Sequence, residues 1–280
     1  MRIVLGIDVG GSTTKIVGFR GEQLLGTLQV RAADQITSLF GAIGNFLRQC
    51  GASLGDVERV VLTGVGASFI DEPIYGIETQ KMDEFLAIGR GALYLTKLRE
   101  ALVLSLGTGT AVVRATADGV THIGGSGVGG GTILGLAARM LGKSDIDAVI
   151  DLAGAGRLEN VDLSVSDILG GNIPSLPRDL TAANFGKIKS TASEADLALG
   201  ILNMVFQTAG TLAVFAARGD TIRDIVMIGM LSIFPQARKM QETFSSIYGL
   251  NFIIPPHSVF ATAIGAACGD ACYFSFKKEK

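Results

Sequence analysis

The stretch Val4–Phe19, VLGIDVGGSTTKIVGF, sets the carboxylate of Asp8, the pair Gly10–Gly11, the hydroxyls of Ser12, Thr13 and Thr14, and Lys15 between two β-branched runs. It reads as a strand, a tight turn and a returning strand. Taken alone, it is either a hairpin that only reverses the chain or a loop that holds phosphate. Turn amides and the three hydroxyls can donate to phosphate oxygens, the bare backbone at the glycines admits them closely, and Lys15 adds charge. Asp8, at the end of its strand, suits Mg²⁺ held through water, because that ion takes one or two carboxylates together with phosphate oxygens.

An internal echo shifts the balance toward phosphate. VLSLGTGTAVVRAT at 103–116 repeats the design, with Leu106-Gly-Thr-Gly-Thr110 at the turn. A hairpin needed only for turning has no reason to recur at the equivalent point of a second half. A second echo pairs VVLTGVGA at 60–67 with IVMIGMLS at 225–232, each an apolar strand ending in glycine before a helix. Two such halves would enclose a cleft with their glycine hairpins facing each other.

Strand patterns fall at Ile3–Asp8, Lys15–Phe19, Val57–Thr63, Leu102–Leu106, Thr110–Ala115, Asp224–Ile228 and Leu250–Ile254. Helical periodicity falls at Ile36–Cys50, Lys81–Lys97, Thr132–Leu141, Ser144–Gly154, Glu194–Arg218, Ile233–Tyr248 and Ala261–Phe274. Interleaved in this way they predict an α/β fold. The boundary between halves is expected near residue 99, giving 1–98 and 99–280.

Composition narrows the function. The 280 residues are 48% apolar with mean hydropathy +0.43, yet no run reaches the roughly 18 uninterrupted apolar residues of a membrane span. No secretory signal is legible, since Asp8 interrupts the first apolar run. A net charge of −2 from interspersed charges offers no field for nucleic acid or anionic lipid. Cys50, Cys268 and Cys272 are too few for a disulfide framework, which fits a reducing, cytoplasmic compartment; Cys268 and Cys272 read as small buried hydrophobes.

The glycine run GGSGVGGGTILGLAARML, 124–141, opens a helix where free amides and the helix dipole favour anions. Gly125, Gly127 and Gly130 match a dinucleotide-binding spacing, but the preceding ADGVTHI is a poor opening strand for a parallel unit. Leu141-Gly-Lys-Ser144 resembles the end of a phosphate loop, though its position makes it a helix stop. With only His122 and His257 and no nucleophile elbow, triad chemistry has little support. Phosphoryl transfer needs instead a base for the attacking hydroxyl. Asp71, Glu72, Glu78, Asp83 and Glu84 are the first-half candidates, and Glu84, beside an apolar stripe in KMDEFLAIGRGALYL, either points into a cleft or is a solvated helix-terminal glutamate.

Together IDVGGSTTK, LSLGTGT, GVGGGTILGL and IVMIGM resemble the actin-like, ribonuclease H-like fold of sugar kinases, acetate kinases and heat-shock chaperones. More closely, with VVLTGVGA, KMDEF, NVDLSVSDILGG, AANFGK and ATAIGAACGD in order over nearly the whole chain, the sequence resembles type II pantothenate kinases. The resemblance implies two similar actin-like domains around an ATP cleft and ATP-dependent phosphorylation of pantothenate, the first step toward coenzyme A. It implies Glu84 as the base that takes the hydroxyl proton, and Gly10, Gly11, Ser12, Thr13, Thr14 and Lys15 around the β- and γ-phosphates. Asp8 would be the indirect Mg²⁺ ligand. Thr108, with Gly109, would lie near the transferred phosphate and substrate, while Gly129, Gly130, Gly131, Thr132, Ile133, Gly229 and Met230 would line the nucleotide. It also implies a homodimer through the long helix 194–218. His122 stands where the family usually has an arginine that contacts substrate, and an imidazole is shorter and cannot grip a carboxylate bidentately. Two alternatives stand beside this: an actin-fold kinase for another small hydroxyl compound, and an ATP-driven activator ATPase.

Overall fold

The structure is a computed structural model that describes residues 2–11, 13–31, 34–168 and 180–268. The opening stretch forms the expected hairpin. β1 (Ile3–Val9) and β2 (Thr13–Arg20) pair antiparallel, with Asp8 opposite Lys15 and Val9 opposite Thr14. β3 (Gln23–Arg31) continues antiparallel beyond β2, and after α1 (Gln35–Gln49) the strands β4 (Val57–Thr63) and β5 (Glu78–Lys81) add in parallel on the other side of β1. The resulting order is β3-β2-β1-β4-β5.

The second half repeats it. After α2 (Glu84–Thr96) come β6 (Glu100–Leu106), β7 (Thr110–Thr116) and β8 (Gly119–Ser126), joined later in the chain by β11 (Asp224–Ile228) and β12 (Asn251–Ile253) in the order β12-β11-β6-β7-β8. Each sheet is thus a three-stranded antiparallel meander with two parallel strands appended to its first strand. Both sequence echoes are structural: β1–β2 corresponds to β6–β7, and β4 to β11. Between β8 and β11 lie α3 (Gly130–Leu141), α4 (Ile146–Ala153), the small ribbon of β9 (Leu163–Ser164) and β10 (Thr181–Ala183), the turn α5 (Val165–Ile168) and the long α6 (Glu194–Arg218). α7 (Pro235–Tyr248) and α8 (Ala261–Cys268) complete the fold. The expected continuation of α8 to Phe274, with Cys272, lies outside the described residues.

Besides the short β9 and β10, three strands escape a reading by pattern. β5 is the polar segment Glu-Thr-Gln-Lys, made a strand by pairing with β4, and β8 is a glycine-rich antiparallel edge. β3 is half-buried along its length and shows no alternation. Because Lys81 belongs to β5, α2 begins at Glu84, capped by the Asp83 carboxylate accepting from the Leu86 amide at 2.9 Å. Gly142, at φ 63°, ends α3 as the helix-stop reading predicts.

Two helices trade places. α2 follows the first sheet but packs on the second, Ile88, Ala92 and Leu93 lying against Val103, Val113, Val226 and Ile228. α8 follows the second sheet but packs on the first, Ala263, Ile264 and Ala267 lying with Val17 and Phe19. They meet backbone to backbone: a Cβ at Gly265 would fall on the Ala87 carbonyl oxygen, and one at Gly91 on that of Ala261. On its opposite face the first sheet is closed by Leu39, Ile43 and Phe46 of α1. α6 is long and apolar enough to cross a membrane, but it buries Leu202, Val205, Phe206 and Ala209 in the core of the second half with Leu102 and Leu104.

α1 carries exposed Gly44 in its interior with open space where a Cβ would stand. Gly44→Ala is therefore expected to stabilise the protein by about 0.5–1 kcal/mol, through helix propensity alone. Urea denaturation reads this, and a lowered midpoint would contradict it.

Candidate active site

The sheet register gathers polar side chains at one end of the first half. Along β1 and β4 the residues Ile7 and Leu62 face α1, whereas Val4 and Val61 face α2 and α8. By the two-residue period, Asp8 and Thr63, which are register partners, share the second face. Lys15 reaches Asp8 across the hairpin, Nζ to Oδ2 at 3.4 Å, with both side chains nearly nine-tenths buried. A buried ammonium and carboxylate need each other, since either alone would carry a large desolvation cost.

The chain brings Glu84 to the same place. The Met82 amide donates to the Leu62 carbonyl at 2.8 Å, tying the residues before α2 to the end of β4, and Glu84, the first residue of the helix, lies within electrostatic range of both Asp8 and Lys15. Burial holds the Glu84 carboxyl above its ordinary range, the neighbouring charges of Asp8 and Asp83 push it further up, and Lys15 partly offsets them. A half-buried carboxylate with raised proton affinity beside a lysine is suited to accept a proton from a hydroxyl.

Directly after it, Phe85 stacks on exposed His122 of β8, ring centres 3.9 Å apart and planes 10° apart. The position singled out as a substrate contact thus lies against the neighbour of the candidate base, although it comes from the other half of the chain. Phe85 itself was not legible as a site residue, because in sequence it is one apolar residue of an amphipathic helix.

The second hairpin is held by the glycine run. The amides of Gly130 and Gly131 donate to the carbonyls of Gly107 and Thr108, both at 2.9 Å, and the Thr110 hydroxyl donates to the Val128 carbonyl at 2.8 Å. This corrects the expectation that the amides opening α3 are free for an anion: these two are engaged by the hairpin. The Thr132 hydroxyl likewise donates to the Gly127 carbonyl and receives the Gly129 amide. Ile133 buries its side chain in the core, so it does not face the cleft. The clamp leaves Thr108 exposed at the hairpin tip, with Gly109 half-buried behind it.

The first hairpin is tied across its own turn. The Gly10 amide donates to the Thr13 carbonyl at 3.0 Å and Gly11 is exposed, while Ser12 lies outside the described residues. Thr14, the counterpart of Thr110, is fully buried and its hydroxyl has no partner among the described residues. In the second half Gly229, at φ 92°, starts a short turn from the end of β11, as Gly64, at φ 87°, does from β4. Both have the positive φ that favours glycine. Met230 is half-buried, its sulfur accepting from the Gln29 side chain of β3 at 3.8 Å, and exposed Arg31 pairs with Asp145 at 2.8 Å. These two contacts link the two halves.

Asp8 stands at the end of β1 in the first hairpin, and among the described residues no group of three or more His, Cys, Asp or Glu gathers to cage a metal. One aspartate plus phosphate oxygens and water is the donor set Mg²⁺ accepts, so the residues present fit that ion.

The duplicated sheet, with a glycine hairpin opening each half, defines an actin-like ATPase or sugar kinase fold. The solved activator of the 2-hydroxyisocaproyl-CoA dehydratase from Clostridium difficile, with bound ADPNP, covers 99% of this chain and 98% of its own at a TM-score of 0.69 and 17% identity, which speaks to fold. The Fumble family model matches residues 100–266. The type II pantothenate kinase of Staphylococcus aureus (strain USA300) is 30% identical over 273 residues, 94% of this chain and 97% of that one. That of Bacillus cereus (strain G9842) is 28% identical over 238 residues, 82% of this chain and 84% of that one. The chain belongs to the Fumble family of type II pantothenate kinases, and it is a kinase.

Proposed function

We propose that this kinase phosphorylates the primary hydroxyl of pantothenate with ATP, with residues 1–98 and 99–280 as the two jaws of the cleft. The observation that carries this is Glu84, raised in proton affinity and set between the Asp8–Lys15 pair and the Phe85–His122 stack. The hydroxyl of the acceptor lies against Glu84, which takes its proton as the oxygen attacks the γ-phosphorus of ATP in line. The hairpin of Gly10 to Lys15 holds the β- and γ-phosphates and Lys15 swings from Asp8 to the developing negative charge. Thr108 of the second hairpin orients the transferred group, and the Gly229–Met230 turn borders the nucleotide. Asp8 would hold Mg²⁺ through water, and that ion, when bound, would neutralise charge on the phosphate oxygens. The enzyme so described is cytoplasmic and works as a homodimer paired through α6, whose exposed Phe215, with Thr211 and Leu212, lines a shallow depression on the surface.

ADP formation measured with and without pantothenate tests the substrate. Strong dependence on pantothenate is expected; turnover indifferent to it, or driven better by another primary alcohol, would overturn the assignment. His122→Arg is expected to lower KM for pantothenate several-fold with little change in KM for ATP, because a guanidinium still stacks on Phe85 and grips the carboxylate through two hydrogen bonds. Unchanged KM values would place that carboxylate elsewhere.

The raised proton affinity of Glu84 also sets a pH dependence. The base works only when ionised, so kcat/KM is expected to fall on acidification through a pKa above the usual carboxylate value of about 4.3. A pH–rate profile flat down to the ordinary carboxylate range would argue against Glu84 as the base.

A further inference from the structure

Thr63 closes β4 at the site and has no role in what precedes. Its side chain is fully buried, yet its hydroxyl has no hydrogen-bond partner among the described residues. An orphaned buried hydroxyl is costly, and a strand interior normally avoids it by using an apolar β-branched residue.

The molecule contains its own control. In the second half the counterpart of Asp8 is Ser105, and the register partner of Ser105 is Ile228, which precedes Gly229 as Thr63 precedes Gly64. Ile228 is fully buried against α2. The architecture at this point is therefore satisfied by a purely apolar side chain, and the hydroxyl appears only in the half that carries Asp8 and Glu84.

Asp8 gives the hydroxyl a destination. Its Oδ2 faces Lys15, while its Oδ1 is turned toward the end of β4, 2.5 Å from where a Cβ on Gly64 would stand. In sheet order, Thr63 lies between Asp8 on β1 and the segment from β5 to Glu84.

We propose that Thr63 is a positioning residue for phosphoryl transfer: its hydroxyl is the donor held for Asp8 Oδ1, fixing that carboxylate when Lys15 leaves it for the phosphates. This rests on the kinase reading of the Asp8–Lys15–Glu84 site. Without such a donor, the aspartate that organises the phosphate end of the cleft is free to turn at the moment its lysine partner is drawn away.

Thr63→Val keeps the shape and removes the hydroxyl, and Thr63→Ser keeps the hydroxyl. Thr63→Val is expected to lower kcat about ten- to hundredfold, the worth of a hydrogen bond to a charged group. Both KM values should stay within about twofold, and Thr63→Ser should recover most of kcat. The Tm of Thr63→Val should equal or exceed that of the wild type, since an orphaned hydroxyl is lost. A kcat within about twofold of wild type in Thr63→Val, or a loss that Thr63→Ser does not recover, would overturn the proposal. Should the wild type show no response to pantothenate, the substrate assignment fails separately, and Thr63 is judged by the same variants and limits on turnover of ATP with whichever acceptor, water included, the wild type uses.

Discussion

Replacing Glu84 with glutamine is expected to lower kcat by about a thousandfold, within the range of about 10²–10⁴ that a positioned general base contributes. Glutamine keeps the size and the contacts of the side chain at the start of α2 but cannot take the hydroxyl proton. ATP binding should persist, because the phosphate hairpins are untouched. Folding should not suffer either. The folded protein binds the Glu84 proton more tightly than the unfolded chain does, so ionisation of this carboxylate costs stability. That cost grows as pH rises from the ordinary carboxylate range through the raised value. Glu84→Gln removes it, and its Tm near neutral pH should equal or exceed that of the wild type. Single-turnover kinetics with nucleotide-binding measurements would separate the two effects. A variant with near-normal kcat would remove Glu84 from the mechanism, and one that had lost nucleotide binding would assign it a different role.

Gly265→Ala is expected to be among the most damaging single added methyl groups in the described residues, alongside Gly91→Ala. At Gly265 the added carbon falls on the Ala87 carbonyl oxygen, inside any permissible contact, and the obstacle is backbone on both sides. α8 cannot retreat, because Ala263 and Ile264 are buried against the first sheet, and α2 cannot, because Ile88 and Ala92 are buried against the second. The expected loss is about 3 kcal/mol or more, at the upper end of overpacking. For a chain of this size that corresponds to a Tm lower by roughly 6–12 °C. Activity in the surviving folded fraction should fall as well, since α2 carries Glu84. Calorimetry beside Gly44→Ala, the same change where space is open, gives the comparison. An undisturbed Tm in Gly265→Ala would mean that the two helices slide apart freely.

The local signals of this chain were legible because they depend on neighbours in sequence. Alternation of β-branched residues, the glycine turns at 10–11 and 107–109, and the helical period of 194–218 each encode an element without reference to anything distant. Repetition carried further: finding the same hairpin twice, and the same strand-to-glycine ending at Gly64 and Gly229, revealed the duplicated sheet. β5 and β8 stayed hidden because a polar tetrapeptide and a glycine-rich edge become strands only when a partner offers its backbone groups. The glycine run from 124 departs from its reading in sequence for a related reason. Free amides at a helix start suit an anion, but whether they are free depends on what packs above them, and here the second hairpin engages two of them.

By itself, then, the sequence determined the α/β class, the two hairpins and the duplicated halves, all of them properties of short segments or of their repetition, and offered Glu84 as one of several carboxylates. Tertiary structure decided the rest. It crossed α2 and α8 between the sheets, brought Glu84 within electrostatic range of Asp8 and Lys15, stacked His122 on Phe85 from the other half, and left Thr63 as a buried hydroxyl beside the site. The physical reason is range. Propensity and periodicity act over a few residues, whereas the proton affinity of a carboxylate or the cost of an orphaned hydroxyl is set by groups that only folding brings within a few ångströms.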